Sequence, residues 1–424
     1  MTVEKNYASY TMVSCQEANE LTLVERALLK IKFGESLIKC INEFKDINGS
    51  PKLRRKINQE VTFLKKAVRS NTLKNEYLQC SNLTHYAAVI DVLQQLVKKC
   101  QAVNKVFILN NKKITVDIIS NDGLTWIKVI ARNPKALSQI CMGNTNYGVR
   151  SVIDQAQEFA ECAKLYPCLF QIPKIIFIFK NGVDNDVAKS IESYGVIVKD
   201  TKLDDSTELS NNSIVESSHN VPNVIELSTK NVASISKVNL DVSAMLAYCS
   251  SVTNGGAELY DFDIPILKQQ AISERLRPQK PILEQFFKGK MLYCCQTAKY
   301  DFENIVKTVG GPGEQSRAKN LLQRLIVLPD NADYKSTLEN DEFNEAFSKV
   351  QFTHPSSLKV RGKIRQRSLT IFTFGDRIRA VTVSANDGFV RAAKQQGINF
   401  VVFIHESRAL TEQKEKAKAF PIVE

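Results

Sequence analysis

Val238-Asn-Leu-Asp241 runs directly into Val242-Ser-Ala-Met-Leu-Ala-Tyr-Cys-Ser250, an apolar strand pattern followed at once by a helical one. An acid at such a junction stands at the C-terminal end of a buried strand, where open α/β sheets build their ligand sites. The arrangement returns downstream. Ala380-Val-Thr-Val-Ser-Ala-Asn-Asp387 reads as a second strand ending in an acid, and Gly388-Phe-Val-Arg-Ala-Ala-Lys-Gln-Gln-Gly397 as the helix after it. Between the two, Met291 to Cys295 and Leu325 to Leu328 read as strands, with helices at Ile264 to Phe287, at Thr297 to Val309 and again after Gly310-Gly-Pro-Gly313. Strands alternating with helices predict a parallel sheet covered on its faces.

With 424 residues the chain is too long for one ordinary core. Residues 1–104 read as a helical N-terminal region, in which Leu21, Val24, Leu28 and Ile31 recur at helical spacing. Leu53, Ile57, Val61, Leu64 and Val68 form a second stripe, and Tyr86, Val89, Leu93, Leu96 and Cys100 a third. Ser50-Pro51 and Ser81-Asn82 mark helix starts. Residues 105–200 read as a small α/β domain: a hairpin of Lys113 to Ile119 and Leu124 to Ala131 turning at Ser120-Asn-Asp-Gly123, then helix, strand, helix and strand. Residues 201–235 are polar and predict a linker, 236–410 form the larger α/β domain, and 411–424 read as a charged tail.

The composition, 43% hydrophobic and 24% charged, is that of a soluble globular protein, and no apolar run reaches membrane-spanning length. The N-terminal residues show neither a signal-peptide nor a mitochondrial-import pattern, so a cytoplasmic or nuclear location is expected. Ten cysteines without any Cys-x-x-Cys predict reduced, buried thiols and no disulfides, and the four histidines have no metal-ligand spacing. The net charge of +12 points to phosphates or acidic partners.

Asp241, Asp301, Asp376 and Asp387 stand at expected strand ends or first helical turns of the larger domain. Carboxylates gathered at one sheet edge repel one another unless a divalent cation neutralises them. Oxygen-only ligands suit Mg²⁺ or Mn²⁺, so Asp241, Asp301 and Asp387 are the expected metal ligands and Asp376 a fourth catalytic acid. Each also has a plainer reading, as a helix cap, a solvated acid or a turn residue. Lys359, Arg361, Lys363, Arg365 and Arg367 alternate, and an extended chain would range all five on one side to meet a phosphate backbone. No aromatic residue is interleaved for base stacking. Gly310-Gly-Pro-Gly313 lacks the Gly-Lys-Ser/Thr of a phosphate cradle and reads as a loop between helices.

Leu240-Asp-Val-Ser243, the acid at Asp301, and Ala385-Asn-Asp387 with Gly-Phe-Val-Arg-Ala-Ala393 resemble a PIN domain. The resemblance implies a metal-dependent ribonuclease using three or four acids. Ala385 stands where that family has a threonine, and the family's third acid sits on a helix, whereas Ile371-Phe-Thr-Phe-Gly-Asp376 reads as a strand. Gly123-Leu-Thr-Trp-Ile-Lys128, Val238-Asn-Leu-Asp241, Gly310-Gly-Pro-Gly-Glu314, Arg367-Ser-Leu-Thr-Ile-Phe372, Ala385-Asn-Asp-Gly-Phe-Val-Arg-Ala-Ala393 and Ser407-Arg-Ala-Leu-Thr-Glu412 are together similar to an uncharacterised eukaryotic family. It has a PIN-like C-terminal domain behind an N-terminal domain of unknown function. The smaller α/β domain, with Asp117 and Lys128 on its hairpin, loosely resembles a restriction-endonuclease-like core. Trp126 occupies that core's acid position, which makes the domain a structural or binding module. Two readings follow: a Mg²⁺- or Mn²⁺-dependent ribonuclease, or a PIN-like scaffold that binds protein or RNA without cleavage.

Overall fold

Thr22 opens helix α1, Leu23–Glu43, with a capping box: its hydroxyl accepts the Glu25 N–H, and the Glu25 carboxylate accepts the Thr22 N–H at 2.8 Å. Helix α2, Ser50–Arg69, starts at the expected Ser50-Pro51 and is entered through Gly49 at φ 90°. A Cβ on Gly49 would lie 1.9 Å from the Val103 carbonyl oxygen, so only glycine admits this turn. Helix α3, Leu83–Leu96, follows the expected Ser81-Asn82 start. The computed structural model describes residues 21–143, 150–200, 232–337, 358–396 and 398–422, and the chain divides into two units, 1–221 and 222–424. The expected linker falls almost wholly outside the described residues.

The helices of unit 1 have no core of their own. Ile31, Leu37, Leu53, Ile57, Leu64, Leu83 and Val89 share one cluster with Val103, Ile118, Ile127, Val129 and Ile178 of a five-stranded sheet. Its strands lie in the order β1 (Cys100–Leu109), β2 (Lys112–Ser120), β3 (Thr125–Ile130), β4 (Lys174–Phe179) and β5 (Ile197–Asp200). The first three pair antiparallel and the last three parallel. Cys100, placed by periodicity on the third helical stripe, is instead the first residue of β1. Val24 and Leu28, expected in the first stripe, are 44% and 46% exposed; Ile31 of that stripe is buried, and Ala27 buries beside it. The hairpin turns as expected, with Asn121, Asp122 and Gly123 at φ 52°, 57° and 94°. Helices α4 (Pro134–Cys141), α5 (Val152–Leu165) and α6 (Asn185–Glu192) complete the unit. A second core there holds Trp126, 2% exposed and stacked on Phe107 at 4.1 Å.

In unit 2, β6 (Lys237–Leu240) leads into α7 (Val242–Cys249), then β7 (Tyr260–Phe262), α8 (Pro265–Leu276) and α9 (Gln279–Phe287). Next come β8 (Met291–Cys295), α10 (Gln296–Val309), α11 (Pro312–Gln323), β9 (Ile326–Leu328), α12 (Gln366–Arg377), β10 (Val381–Ser384), α13 (Asp387–Gln395) and β11 (Val402–Ile404). The sheet order is β11-β10-β6-β8-β9, parallel throughout. The chain starts at the centre, lays β8 and β9 to one side, then returns to lay β10 and β11 on the other. Its direction of winding therefore reverses between β6 and β10, and the crevice outside their C-terminal ends is where open α/β sheets bind ligands.

Two expectations fail in this unit. Ile371-Phe-Thr-Phe-Gly-Asp376 is part of helix α12, not a strand. Its apolar residues fall on several sides because this helix is covered broadly: Ile371, Phe372 and Phe374 are all fully buried, and Thr373 between them is 9% exposed. Gly375 lets it approach the sheet, since a Cβ there would meet Thr382 Oγ1 at 2.1 Å, and Asn239 Nδ2 ties it down by donating to the Ile371 carbonyl and Thr382 Oγ1, each at 3.0 Å. The tail expected from 411 instead forms α14 (Glu412–Lys418) and β12 (Ala419–Pro421), which pairs antiparallel with β7.

Asp117, on β2, is 5% exposed, and its carboxylate accepts the Val129 N–H at 2.9 Å with Lys128 Nζ at 3.0 Å and His85 Nε2 at 3.6 Å. Burial alone would raise its pKa, but Lys128, His85 and the Val129 N–H outweigh burial and hold it at about 2. A carboxylate so depressed stabilises the fold above its unfolded value near 4, and that contribution disappears as pH falls from about 4 to about 2. We expect Asp117→Ala to destabilise unit 1 by about 2–3 kcal/mol in urea unfolding at pH 7, because the Val129 N–H and the partly buried Lys128 lose their shared partner. The deficit relative to the parent protein should shrink in the same assay as pH falls toward 2.

Candidate functional site

Asp241 occupies the crevice at the winding reversal. It caps α7 with extended backbone angles, φ −73° and ψ 159°, and its own N–H donates to the Val383 carbonyl of β10 at 3.1 Å. Its side chain, 7% exposed, is held from both strands that flank the crevice. Oδ1 accepts the Val242 N–H at 2.7 Å, while Oδ2 accepts the Ser243 hydroxyl at 2.8 Å and the Ser384 hydroxyl at 2.6 Å. Those hydroxyls in turn order the exit from β10: Ser243 Oγ accepts the Ala385 N–H at 2.9 Å, and Ser384 Oγ accepts the Asn386 N–H at 3.0 Å. Asn386 caps α13 by accepting the Phe389 N–H at 3.1 Å and reaches α12 by donating to Ser368 Oγ at 3.2 Å. Among the residues flagged as acids in the sequence, only Asp241 is central to this network.

Asp301 and Asp387 lie at the same sheet edge but are engaged by cations. Asp301, partly buried on α10, meets Arg367 of α12 at 3.4 Å. Asp387, 47% exposed in its side chain, pairs with Arg391 one turn along α13 at 2.9 Å. Asp376 belongs elsewhere. It lies near the C-terminal end of α12, whose N-terminal turn carries Ser368 and Arg367 at the crevice, and its carboxyl accepts the N–H of Val401, just before β11 starts. That places Asp376 toward the N-terminal edge of the sheet, away from the other acids. Among the described residues, no group of three or more His, Cys, Asp or Glu is arranged to hold a metal ion. The described residues do not offer Mg²⁺ or Mn²⁺ the several converging oxygens these ions require: Asp241 already accepts three hydrogen bonds, and Asp301 and Asp387 each face a guanidinium group.

His405, which sequence spacing gave no reason to single out, stands next to this network. It follows β11, where its N–H donates to the Ser384 carbonyl at 3.2 Å. Nδ1 lies 2.9 Å from the Glu406 carbonyl and must donate to it, which leaves Nε2 as a buried nitrogen without a partner. Burial pulls the imidazole pKa down, and the Glu406 carbonyl and the Asp241 charge oppose that only in part. Only strand pairing brings residue 405 beside residue 384, so no local pattern could have revealed it.

The basic segment does not run as an extended strand. Leu358 and Ile364 are buried against Phe372, Phe389 and Phe400, and a turn closes between them through the Ile364 N–H to Arg361 carbonyl bond at 3.0 Å, with Gly362 at φ 58°. Lys359, Arg361, Lys363, Arg365 and Arg367 nevertheless all remain exposed. Lys363 lays its stem beside Gly388, where an added Cβ would stand 3.7 Å from its Cδ, and Arg367 meets Asp301, so these two border the crevice; Lys359 lies at the other end of α13, where its N–H donates to Gln396 Oε1 at 2.9 Å. Two recesses of about 310 and 500 Å³ elsewhere on unit 2 are lined by none of these residues.

Gly310-Gly-Pro-Gly313 proves to be half of a clasp. Glu412 accepts the Gly313 N–H at 3.0 Å and the Glu314 N–H at 2.7 Å at the start of α11, the amides a phosphate would need. Glu314, fully buried, reciprocates by accepting the Thr411 N–H at 2.8 Å and the Ser251 N–H at 2.8 Å. A Cβ on Gly311 would sit 2.6 Å from Glu412. Nearby, Arg408 is buried against Glu274 at 2.7 Å. The nine described cysteines are free, and burial pushes the Cys249, Cys294 and Cys295 thiols up to about 12. Among the described residues no helix is long and apolar enough to cross a membrane.

Residues 19–229 match a family of unknown function, DUF5614, and residues 238–419 match the family described as protein of unknown function DUF1308. The two matches follow one another in that order and agree with the two-domain layout. The DUF1308 match takes in Asp241, Ser384, His405 and the Glu314–Glu412 clasp, and the DUF5614 match covers the helices and sheet of unit 1. No solved structure matches the chain.

Burial pushes the Asp376 carboxyl up to about 8, against one stabilising N–H from Val401. The folded protein thus binds this proton more tightly than the unfolded chain does, so the contribution of Asp376 is most favourable below about pH 4 and is lost as pH rises toward 8. Asp376→Asn, which keeps an acceptor for Val401, should stabilise unit 2 at pH 8 by at least about 1 kcal/mol. In thermal denaturation across pH 5–8, its gain over the parent protein should narrow toward the acid end.

Proposed function

We propose that residues 232–422 form a PIN-like module that binds the phosphate backbone of RNA without cleaving it. The observation that carries this reading is the contrast at the crevice: Asp241, Asp301 and Asp387 are engaged by the protein's own donors, Arg367 among them, while Lys359, Arg361, Lys363 and Arg365 of the same segment are exposed to solvent. The sheet order, with its winding reversal at Asp241, supports the PIN-like assignment. Arg365 and Arg367 stand at the N-terminus of α12, whose first turn has no acid. The helix dipole and these guanidinium groups favour an anion at the same place. Contacts of this kind fix phosphates and do not read bases, which agrees with the lack of aromatic side chains in the segment.

Single-stranded RNA binding should weaken steeply with salt, with a slope of log K against log salt of about −2 to −3.5 if three to five phosphates are contacted. Replacing all five cations with Gln should remove most of this slope, and Asp241→Asn should leave the slope unchanged in a variant that remains folded by circular dichroism. Incubation of labelled RNA with Mn²⁺ should leave it intact. Cleavage by the parent protein that disappears in both Asp241→Asn and Asp387→Asn would overturn the non-cleaving reading in favour of a metal-dependent ribonuclease.

A further inference from the structure

Three adjacent strands of unit 1 depart from regular pairing at the same level. On β1, Asn104 takes a left-handed φ of 52° between the pairs Val103↔Ile118 and Lys105↔Val116. The β2–β3 ladder extends from Ser120↔Thr125 only to Ile118↔Ile127, and past it the Asp117 side chain, in place of a backbone carbonyl, receives the Val129 N–H. Irregularities of this kind re-aim side chains and gather at binding sites. Here Asp117 meets Lys128 at 3.0 Å, and on the neighbouring strand Lys56 of α2 reaches in to donate to Asn104 Oδ1 at 3.1 Å. Because Oδ1 accepts from Lys56, the amide orientation is fixed and Nδ2 is the free end. Asn104 is 7% exposed and its Nδ2 has no hydrogen-bond partner.

The charge around this point is unbalanced. The ionised groups acting on Lys56 are Lys52, Asp117 and Lys128, so three cations meet one carboxylate. Asp117 is already committed to Lys128, His85 and the Val129 N–H. Lys52 also stands in the first turn of a helix that has no acid there, where the dipole already favours negative charge. Burial together with Lys52 and Lys128 draws the Lys56 pKa below its ordinary value, the direction expected of an ammonium group lacking enough counter-charge.

We propose that Lys52, Lys56, Lys128 and Asn104 form a binding site for a phosphate dianion, either free or at the end of a phosphomonoester. Lys56 of α2 meets Asn104 of β1 directly, and Lys52 and Lys128 act on Lys56 through their charge; a cluster drawn from three elements suits a compact terminal phosphate, whereas the basic segment of unit 2 is spread along the chain. Asp117 holds Lys128 in place and makes no contact with the ligand. This site is independent of the RNA-binding reading of unit 2, and it involves no bond breaking.

The test is titration of the full-length protein with inorganic phosphate, with adenosine 5′-monophosphate and with adenosine, followed by phosphorus NMR and calorimetry at constant ionic strength. Phosphate and the monophosphate should bind with one-to-one stoichiometry and compete, and adenosine should not bind. Competition separates a shared phosphate seat from a nucleoside pocket: binding of adenosine alone would overturn the proposal. Lys56→Gln, which keeps a donor for Asn104, should weaken phosphate binding about ten-fold or more. Asn104→Gly, which suits the left-handed backbone, should also weaken it while leaving the fold intact by circular dichroism. Lys56→Arg should restore most of the affinity. Absence of phosphate binding by the parent protein, or equal binding by the parent, Lys56→Gln and Asn104→Gly proteins, would sink the assignment.

Discussion

The carboxylate of Asp241 is the constraint on which unit 2 depends. One buried group takes an amide from its own turn and hydroxyls from Ser243 and Ser384, and so fixes the exits of β6 and β10 relative to each other. These two strands are neighbours in the sheet, yet about 140 residues separate them in sequence, and pairing so distant must repay a large loop-closure entropy. A buried charge-assisted network repays part of it, because each donor removed would leave an oxygen of the buried Asp241 carboxylate without one of its partners. The same bonds that make the acid structurally valuable make it a poor metal ligand. Chemistry and architecture compete for one pair of oxygens.

Much of this fold was legible in the sequence where the signal is local. The start of α2 at Ser50-Pro51, the hairpin turning at Asn121-Asp122-Gly123, and strand β8 at Met291–Cys295 all follow from short-range pattern and turn chemistry. Helix α12 looks like a strand in sequence because Ile371-Phe-Thr-Phe374 is a short, mostly apolar run rich in β-formers, and a helix packed on several sides loses the polar face that would reveal it. The tail is hidden for the opposite reason: its charge suggests solvent, but Glu412 has partners on α11 that are far away in sequence.

The site was legible in position more than in chemistry. A strand ending in Asp241 located the crevice, and Asp301 and Asp387 do reach the same edge. What sequence could not supply was the identity of their partners. Arg367 and Arg391 look like members of a basic surface until the fold sets them against those acids. His405 and Ser384 become neighbours only through strand order, and Asp376 is carried to the far edge by the length of its helix. Spacing reports which residues are near in the chain, whereas site chemistry depends on which donors arrive from elsewhere.

The reciprocal capping of α11 and α14 has a consequence for biosynthesis. The N-terminus of α11 finds its carboxylate in Glu412, and Glu314 finds amides at Thr411 and Glu412. Strand β7 likewise waits for Ala419–Pro421. A chain emerging from the ribosome at about 5–20 residues per second therefore carries α11 with uncapped amides, and β7 with an open edge, for several seconds or more. During that interval Gly310-Gly-Pro-Gly313 is an exposed amide nest and β7 an unpaired strand, both open to chance partners. The nascent domain is consequently most vulnerable to misassembly before its last elements arrive, and closing the clasp is the event that ends that exposure.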